Sequence, residues 1–559
     1  MANKGNKFIK GAAVLAGAGI MIKVLGAVFR IPLTDWIGAT GMSYYGVAYS
    51  IYGALVVLAT AGIPVAISRL VSESIAVKQY KNAHKTFRVA TVLLFAVGLI
   101  SFAICFFGGN WIAELFGNKD AGPAVRAISP ALLFVPVFSA FRGYFNGRQN
   151  MNPTAISEIT EQLVRCGVGL YLAYSLYKTS LIKAAAGASF GASAGSIAGL
   201  LIIFLIYLMN KKSINHKIEV HDQAVESSKK IAKKIVIIAI PIIIGCEIMP
   251  IMTLIDTSII MRVLQSTGWS LAESNYLYGL LSGFCNALIA FPQIFTQAVA
   301  VSLVPAISAH FKLKEMDKVN DTIALGYRTT MIMAFPCAFG IFVLAEPILK
   351  LLYFAQPQGC HDAAPTLMIM AISVIFLAVM QTSTSVLQSI GKQMIPVRNL
   401  AIGCVGKVVI TYVLVGIPAL NIKGAALGTM FAYFIAMVLN GLSVKKYTGI
   451  KYDMKLTYGR PAAAAIVMAG CAFGIYKGLF ALLNTGAHSA VGISGLCTVI
   501  AILAAMVIYA VLIFAVKAIT VDELETMPGG TKMAKIARNM KNYISRRTMI
   551  LTPAKDSSI

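Results

Sequence analysis

The sequence predicts an all-α integral membrane protein with about fourteen transmembrane helices. Of its 559 residues, 58% are hydrophobic and only 13% are charged, whereas a soluble domain carries about 25% charged residues. Apolar runs of roughly 20 residues, the length that crosses a bilayer as a helix, follow one another along nearly the whole chain. The polar segments between these runs are too short to fold as a soluble domain. The protein is therefore expected to act within the bilayer or at its surfaces.

The apolar runs define fourteen predicted spans. They lie near residues 9–36, 44–68, 89–110, 123–145, 153–177, 184–209, 235–264, 276–307, 325–352, 365–389, 394–418, 422–444, 460–483 and 491–517. An even number of spans places the two termini on the same side of the membrane.

The charge distribution predicts which side that is. Lysine and arginine outnumber aspartate and glutamate by 48 to 22, which gives a net charge of +26. In a soluble chain such a balance would suggest nucleic acid, but membrane proteins collect Lys and Arg on their cytoplasmic loops. With the N-terminus in the cytoplasm, most cations lie on that side, notably at 211–234 and 520–559. We expect both termini in the cytoplasm, basic loops that contact anionic membrane lipids, and no nucleic-acid partner.

Short motifs recur in the same order in the second half of the chain. The PVAIS segment at 64–68 has a counterpart, PAIS, at 305–308, and three further pairs of motifs begin near Tyr45, Gly147 and Gly187. The members of the pairs lie between 233 and 243 residues apart. Six spans separate them, so the two copies have the same orientation, which is the parallel kind of repeat.

The repeat predicts the domain organisation. The predicted parts are an N-lobe at 1–210, a basic cytoplasmic linker at 211–234, a C-lobe at 235–446, two additional helices at 456–519 and a basic cytoplasmic tail at 520–559. Duplicated halves are typical of transporters, because a site between them can open alternately to either side of the membrane.

The first predicted span carries two cations on one face. Gly19, Lys23, Gly26 and Arg30 follow a helical spacing. A charge at membrane depth costs on the order of 2.5 to 3.5 kcal/mol on insertion scales, so such a face does not point at lipid. One interpretation is the cationic wall of a water-filled cavity that binds an anionic substrate. The alternative is structural pairing with carboxylates of other helices.

Further ionisable residues lie in three other spans. In the fifth, Glu161 precedes Arg165 by four residues, the favourable order for a structural ion pair within one helix. In the seventh, Asp256 is a candidate gate or ion-coupling residue, and Arg262 lies nearer the outer end. In the eleventh, Lys407 is a candidate fixed cation, or the partner of a carboxylate.

Several catalytic motifs are absent from the sequence. It contains no HExxH, no Walker A lysine motif and no acidic cluster suited to two metal ions. A membrane protease or an ATP-driven pump would need one of these sets. We expect a transporter rather than an enzyme, without a cofactor or metal site, driven by a Na⁺ or H⁺ gradient, by the membrane potential or by the substrate gradient.

Four segments carry a family resemblance: RIPL at 30–33, AGIPVAIS at 61–68, the run from Arg142 to Arg165, and LVPAIS at 303–308. With them the chain, from about residue 8 to 517, resembles the stage V sporulation protein B and polysaccharide exporter branch of the multidrug/oligosaccharidyl-lipid/polysaccharide (MOP) superfamily. That branch includes Gram-positive lipid II flippases of the MurJ type.

The resemblance implies a V-shaped flippase in the bacterial cytoplasmic membrane. Twelve helices would form two lobes around a cationic cavity, and the last two would supply a groove for a prenyl tail. The cargo would be an undecaprenyl-pyrophosphate-linked sugar such as lipid II, moved from the inner to the outer leaflet. Arg30 matches the family's arginine in the first helix, Arg69 and Arg262 are further matches, and Lys23 would share the substrate-binding face.

Sodium-coupled members of the superfamily hold the ion on helices 7, 11 and 12. Asp256, Asn399 and Thr429 could correspond to those ligands here. However, Gly403 stands where a second carboxylate would be expected, and Lys407 follows it.

Other functions remain open at this point. The cargo could be a teichoic, capsular or spore-related lipid-linked polysaccharide. A cation-coupled drug antiporter usually has twelve helices, and a membrane glycan polymerase would need a larger outer loop. A structural partner of the cell-wall synthesis machinery would leave the intramembrane cations dispensable.

Overall fold

A computed structural model describes residues 2–219, 225–483 and 490–518 of the chain, and this part is helical, with turns but no strand. The helices are α1 (Ala2–Thr60), α2 (Ile63–Ala76), α3 (Tyr80–Leu115), α4 (Gly122–Gly147), α5 (Asn152–Leu176), α6 (Leu181–Glu219), α7 (Ser228–Ser266), α8 (Leu271–Gly279), α9 (Asn286–Lys312), α10 (Met316–Val343), α11 (Ala345–Leu352), α12 (Pro357–Ser389), α13 (Met394–Val415), α14 (Ile422–Thr448), α15 (Arg460–Leu483) and α16 (Ala490–Ala515). A π-helical turn at Leu280–Cys285 joins α8 to α9, and another at Lys455–Gly459 leads into α15. The predicted tail at 520–559 lies outside the described residues.

The first two predicted spans form one continuous element, α1, with a sharp kink at Gly38. This residue has φ 61° and ψ −171°, a conformation that glycine adopts without the steric cost of a Cβ atom. We call residues 2–37 the first limb of α1 and residues 39–60 its second limb. Both limbs line the same cavity, so the kink folds the helix back on itself.

Twelve helical segments of the described chain are long and apolar enough to cross a membrane. One of them, Gly17–Ala76, contains both limbs of α1 and therefore two of the predicted spans. The segment missing from the twelve is α5, whose apolar surface is interrupted by charged residues. Counting the second limb and α5 gives the fourteen predicted spans, so the all-helical membrane architecture is confirmed.

The internal repeat is visible in the backbone. Lys78 and Lys314, 236 positions apart, both end a helix with positive φ, 61° and 60°. The amide of each donates to the carbonyl three residues earlier, at 3.0 and 3.1 Å. A second pair, Gln149 and Gly391, lies 242 positions apart and has φ angles of 59° and 76°. Two pairs of turns with matching conformation, in matching order, agree with the predicted repeat.

The two halves pack around separate cores, and α7 touches both. Ala239 and Ile260 of α7 belong to the apolar core formed mainly by α1 to α6. On another side of α7, a Cβ atom at Gly245 would contact Val397 of α13. The last two helices pack onto α10 and α11, where Leu344 meets Met468 and Ala501. Helix α7 therefore connects the two lobes rather than belonging to one of them alone.

The ends of the bundle differ in character. One end, which we call the basic end, carries Lys211 in α6, Lys229 at the start of α7 and Lys392 in the turn after α12. The other, the Gly38 end, is closed by contacts between the halves. The Ser43 hydroxyl donates to Asn275 at 2.7 Å, and the Ala355 amide donates to the Asp35 carboxylate at 2.8 Å.

Candidate functional site

A cavity of about 450 Å³ lies between the two halves. Both limbs of α1 line it, together with α5 and α9. Its polar lining consists of three cationic side chains, two tyrosines and two glutamines: Lys23, Arg30, Arg165, Tyr45, Tyr49, Gln162 and Gln293.

The first limb of α1 contributes two of the three cations. Lys23 is exposed and donates a hydrogen bond to the Gln297 side chain of α9. Arg30 is half-buried two helical turns further along, about 10 Å away at 1.5 Å per residue. No carboxylate of the described chain lies within ion-pair distance of Arg30. The helical spacing seen in the sequence thus predicted the placement of both residues on a cavity wall.

The third cation, Arg165, does not have the partner that the sequence predicted. The sequence predicted an ion pair with Glu161, but Glu161 accepts instead from Arg142 of α4 at 3.0 Å. Arg142 also lies over the Phe138 ring, 4.0 Å from its centre. Arg165 turns to the Tyr49 hydroxyl on the second limb of α1, to which its Nε donates at 2.7 Å. The pairing within α5 was therefore wrong, because a second arginine on α4 neutralises the carboxylate.

The tyrosines hold Arg165 at the cavity wall. Its guanidinium lies 4.9 Å from the centre of the Tyr49 ring, within the range of a cation–π interaction. The Tyr49 ring in turn stacks on Tyr45, with centroids 4.3 Å apart. The stack keeps one ring beside the guanidinium without supplying a negative charge.

The cavity is therefore a concentration of uncompensated positive charge. None of its lining residues in the described chain is acidic. Guanidinium groups bind phosphate in a bidentate geometry, and lysine binds it as a point charge. A site with two arginines, one lysine and neighbouring amides suits a phosphate or pyrophosphate better than a cation or a neutral drug.

Exposure along α1 shows which way the cavity faces. Lys23 is exposed and Arg30 is half-buried, whereas Leu33 and Ile37 are 0% and 1% exposed. The decrease runs from the basic end towards the Gly38 end. In this conformation the cavity is accessible from the basic side and closed by the contacts at Gly38.

A second polar site connects α7 with α13. Asp256 forms an ion pair with Lys407, and both side chains are largely buried. One Asp256 oxygen, Oδ1, has no hydrogen-bond partner among the described residues. The ammonium of Lys407 thus occupies a position beside the carboxylate where a mobile cation would otherwise bind.

The other two candidate ion ligands make different contacts. Asn399 lies two turns from Lys407 on α13 and donates to Asn440 of α14 at 2.9 Å. Thr429 donates to the Ala425 carbonyl within α14 at 3.0 Å. Neither residue forms a hydrogen bond with Asp256 among the described residues. Among the described residues, no group of three or more His, Cys, Asp or Glu side chains could hold a metal ion.

Arg69 and Arg262 do not line the cavity. Arg69 is exposed on α2 and pairs with Glu73 at 2.8 Å. Arg262 donates to the Leu115 carbonyl at the end of α3, at 2.7 and 3.0 Å, which caps that helix. The tyrosines and glutamines of the cavity were not predicted, because the prediction rested on the charged residues within the apolar spans.

Two family models match the chain. Residues 8–311, more than half of it, match the polysaccharide biosynthesis protein family, and residues 241–413 match MatE.

Three curated proteins of Bacillus subtilis (strain 168) are similar over most of their length. Stage V sporulation protein B is 27% identical, over 93% of this chain and 98% of its own. The uncharacterized membrane protein YabM is 26% identical, over 95% and 96%. The lipid II flippase MurJ is 26% identical, over 80% and 84%.

Solved structures share the fold. A lipid II flippase MurJ in an inward closed conformation superposes with a TM-score of 0.65 at 16% identity, over 89% of this chain and 98% of that one. An inward-facing multidrug resistance MATE transporter of the MOP superfamily also gives 0.65, at 13% identity, over 76% and 94%. With its duplicated helical halves and its family matches, the chain is a transporter that belongs to the polysaccharide biosynthesis protein family of the MOP superfamily.

Proposed function

We propose that this protein is a flippase for lipid II, the undecaprenyl-pyrophosphate-linked peptidoglycan precursor, which it moves from the inner to the outer leaflet. The observation that carries the proposal is the cavity containing Lys23, Arg30 and Arg165, with no acidic lining residue in the described chain. A lipid-linked pyrophosphate needs this concentration of positive charge to leave the aqueous headgroup region. The similarity to the lipid II flippase MurJ over 80% of the chain supports the same cargo.

Translocation follows from the position of the cavity between the repeats. In the conformation described, the cavity is accessible from the basic end and closed at the Gly38 end. Rocking of the halves would break the contacts at Gly38 and close the basic end around the same three cations. The headgroup would then be released on the opposite side, while its prenyl chain stays in lipid.

The orientation follows from the distribution of charge. Because basic loops stay in the cytoplasm, we propose that the basic end faces the cytoplasm of a bacterium and that both termini lie there. A fluorescent-protein fusion at residue 559 would then be bright, and an alkaline-phosphatase fusion at the same position inactive. The reverse result would overturn the orientation.

The ion pair of Asp256 with Lys407 bears on the source of energy. A lysine ammonium beside the carboxylate disfavours a sodium ion there, so we propose coupling to the membrane potential or to protons. In vesicles, a potassium diffusion potential or a proton gradient should accelerate transport. An inward sodium gradient alone should not.

The prenyl tail is proposed to bind along the last two helices. A cleft of about 710 Å³ lies between them and α10 to α12, and its walls include Phe342, Met368, Phe473 and Phe480. Aromatic and apolar walls of this kind accommodate an isoprenoid chain. Replacement of Phe473 by Gln should weaken binding of the full-length lipid, and leave binding of a headgroup with a short tail unchanged.

A second candidate cargo is a spore-related lipid-linked polysaccharide. The similarity to stage V sporulation protein B, which covers 93% of the chain, favours it over teichoic or capsular intermediates. The cationic cavity would serve any of these lipids, because they share the pyrophosphate. Contacts with the cell-wall synthesis machinery remain a prediction.

The deciding experiment is transport of fluorescent lipid II in reconstituted vesicles. The labelled lipid in the outer leaflet is measured over time for the wild type, for Arg30→Ala and for Lys183→Ala, an exposed cation of α6 outside the cavity. Loss of one charge-assisted contact should slow transport by about tenfold or more in Arg30→Ala, and Lys183→Ala should match the wild type. If the wild type moves another pyrophosphate lipid but no lipid II under any gradient, that other lipid replaces lipid II as the proposed cargo. Normal transport by Arg30→Ala would overturn the role of the cavity.

A further inference from the structure

A separate cleft at the basic end combines cations with apolar walls. It has a volume of about 890 Å³ and lies between the beginning of α3 and the beginning of α7. Lys85, Arg88 and Lys229 line it, together with Lys81 and His84. Its apolar lining is formed by Val89, Val92, Leu93, Val225 and Ala232. It shares no residue with the cavity around Arg30.

Three cations of the cleft have no carboxylate partner in the described part of the protein. None of the described lining residues is acidic, and no described carboxylate lies within ion-pair distance of Lys85, Arg88 or Lys229. Nδ1 of His84 is buried and has no hydrogen-bond partner among the described residues. The cleft therefore presents the positive charge of Lys85, Arg88 and Lys229 to one volume.

The position of these cations opposes the helix dipole. The N-terminus of a helix favours negative charge, yet α3 begins with no acidic residue in its first turn and with Lys81 and Lys85 in its first two turns. An anion bound beside Lys85 would offset this unfavourable placement of positive charge.

The repeat provides an internal comparison. At 236 positions from Lys81 and Lys85, the equivalent helix α10 carries Asp317 and Asp321. In the turn before α10, hydrogen bonds from His310 and Lys318 hold the pKa of Glu315 below its ordinary value. The second half thus carries carboxylates at this helix start, whereas α3 carries lysines at the matching positions.

The apolar walls distinguish a lipid from a soluble anion. Along the face of α3, the cations at 85 and 88 are followed by Val92, which is 68% exposed. Val236 and Ile240 on α7 are also exposed, at 44% and 48%. A phosphate at the cations would therefore continue directly into an acyl chain lying between the membrane-facing surfaces of α3 and α7.

We propose that this cleft is a binding site for an anionic phospholipid of the membrane, separate from the transported cargo. The phosphodiester is held by Lys85, Arg88 and Lys229, and one acyl chain follows Val89 and Val92. Because α3 belongs to the first half and α7 contacts both, the lipid joins the linker end of α7 to the first half. The proposal does not depend on the identity of the cargo.

The test measures lipid affinity of the full-length purified protein by native mass spectrometry. Phosphatidylglycerol and phosphatidylcholine with identical acyl chains are compared on the wild type and on the double variant Lys85→Gln, Arg88→Gln. Phosphatidylglycerol should bind the wild type more tightly than phosphatidylcholine, and the double variant should lose about tenfold or more of that affinity. Phosphatidylcholine binding should be the same in both proteins, which also shows that the variant is folded.

The matched control is Lys312→Gln with Lys314→Gln, two exposed cations at the repeat-related turn. It should keep phosphatidylglycerol affinity within about twofold of the wild type. An equal loss in the control would mean nonspecific attraction to basic loops and would overturn the site. Unchanged affinity in the Lys85, Arg88 variant would overturn it too. Displacement of the lipid by equimolar glycerol phosphate would show a soluble-anion site instead.

Discussion

At the scale of single residues, the field in the cavity depends on which cations have a negative partner. Arg142 forms an ion pair with Glu161 at 3.0 Å, while Arg165 contacts the neutral Tyr49 hydroxyl. Two arginines within one small region of the first half thus have opposite roles. The one without a carboxylate is the one that lines the cavity.

Replacement of Arg165 by Gln is expected to weaken binding of a lipid-linked pyrophosphate by about ten- to a hundredfold, because a charge-assisted contact is lost. Tyr49→Phe removes only a neutral hydrogen-bond partner that orients Arg165, so it should weaken the affinity by about tenfold at most. Affinity is measured by native mass spectrometry, with Lys183→Gln as the control. Full affinity of Arg165→Gln would show that this arginine only braces α1 against α5.

The buried pair of Asp256 and Lys407 gives a second prediction. Asp256→Asn leaves the Lys407 ammonium buried without its partner, which should destabilise the protein by about 3–5 kcal/mol. The double variant Asp256→Asn, Lys407→Met removes both charges and should recover most of that loss. The measurement is thermal unfolding in detergent. If the double variant is no more stable than Asp256→Asn, the pair does not act as a structural ion pair.

The sequence predicted part of this site and missed the rest for a physical reason. Lys23 and Arg30 share one helical face, and a helical face is a local property that spacing reveals. The partner of Glu161 is a tertiary property: Arg142 and Arg165 were both available, and only the packing of α4 against α5 decides between them. Tyr49 likewise could not be identified from the sequence, since an aromatic residue within an apolar span is usually a packing residue.

At the scale of elements, apolar length predicted where the chain crosses the membrane but not where each helix ends. The third predicted span, 89–110, is a helix from Tyr80 to Leu115, because a helix continues into water where its hydrogen bonds remain satisfied. The ninth predicted span, 325–352, divides into α10 and α11. Gly38 lies in the predicted loop between the first two spans, but apolar length did not show that α1 continues on both sides of it as one kinked element.

The contact between α8 and α1 depends on a glycine. A Cβ atom at Gly279 would lie 1.7 Å from the Ala39 carbonyl oxygen, so Gly279→Ala must push the two helices apart. Overpacking of this kind costs about 1–3 kcal/mol, and it should open the Gly38 end. We expect a lower unfolding temperature and slower transport.

Gly441→Ala on α14 is the matched control for Gly279→Ala. Nothing lies within 4 Å of its Cβ position, and alanine in a helix interior should stabilise the protein by about 0.5–1 kcal/mol. If both alanine variants behave alike, the close approach of α8 to α1 does not hold the Gly38 end closed.

At the scale of the whole molecule, the repeat supplies two similar halves whose sequences differ at the cavity. The turns at Lys78 and Lys314 keep the same backbone conformation, yet the cavity takes its three cations only from α1 and α5 of the first half, and its α9 wall is neutral. Under the proposed function, the first half would bind the anionic headgroup, and α9 of the second half would supply the facing surface that moves relative to it.

A cross-link between the halves should therefore stop transport. Ser43→Cys with Asn275→Cys replaces the contact of α1 with α8 at the Gly38 end, 2.7 Å between side-chain oxygens, and a short thiol-reactive bridge should hold that end closed. Thr330→Cys with Thr382→Cys, which replaces a 2.9 Å contact within the second half, is the control. Lipid movement in vesicles should fall to the background rate only in the first variant, and cleavage of the bridge should restore it. Undiminished movement with the first bridge in place would mean that the cargo crosses without opening of the Gly38 end, and the rocking of the two halves would have to be abandoned.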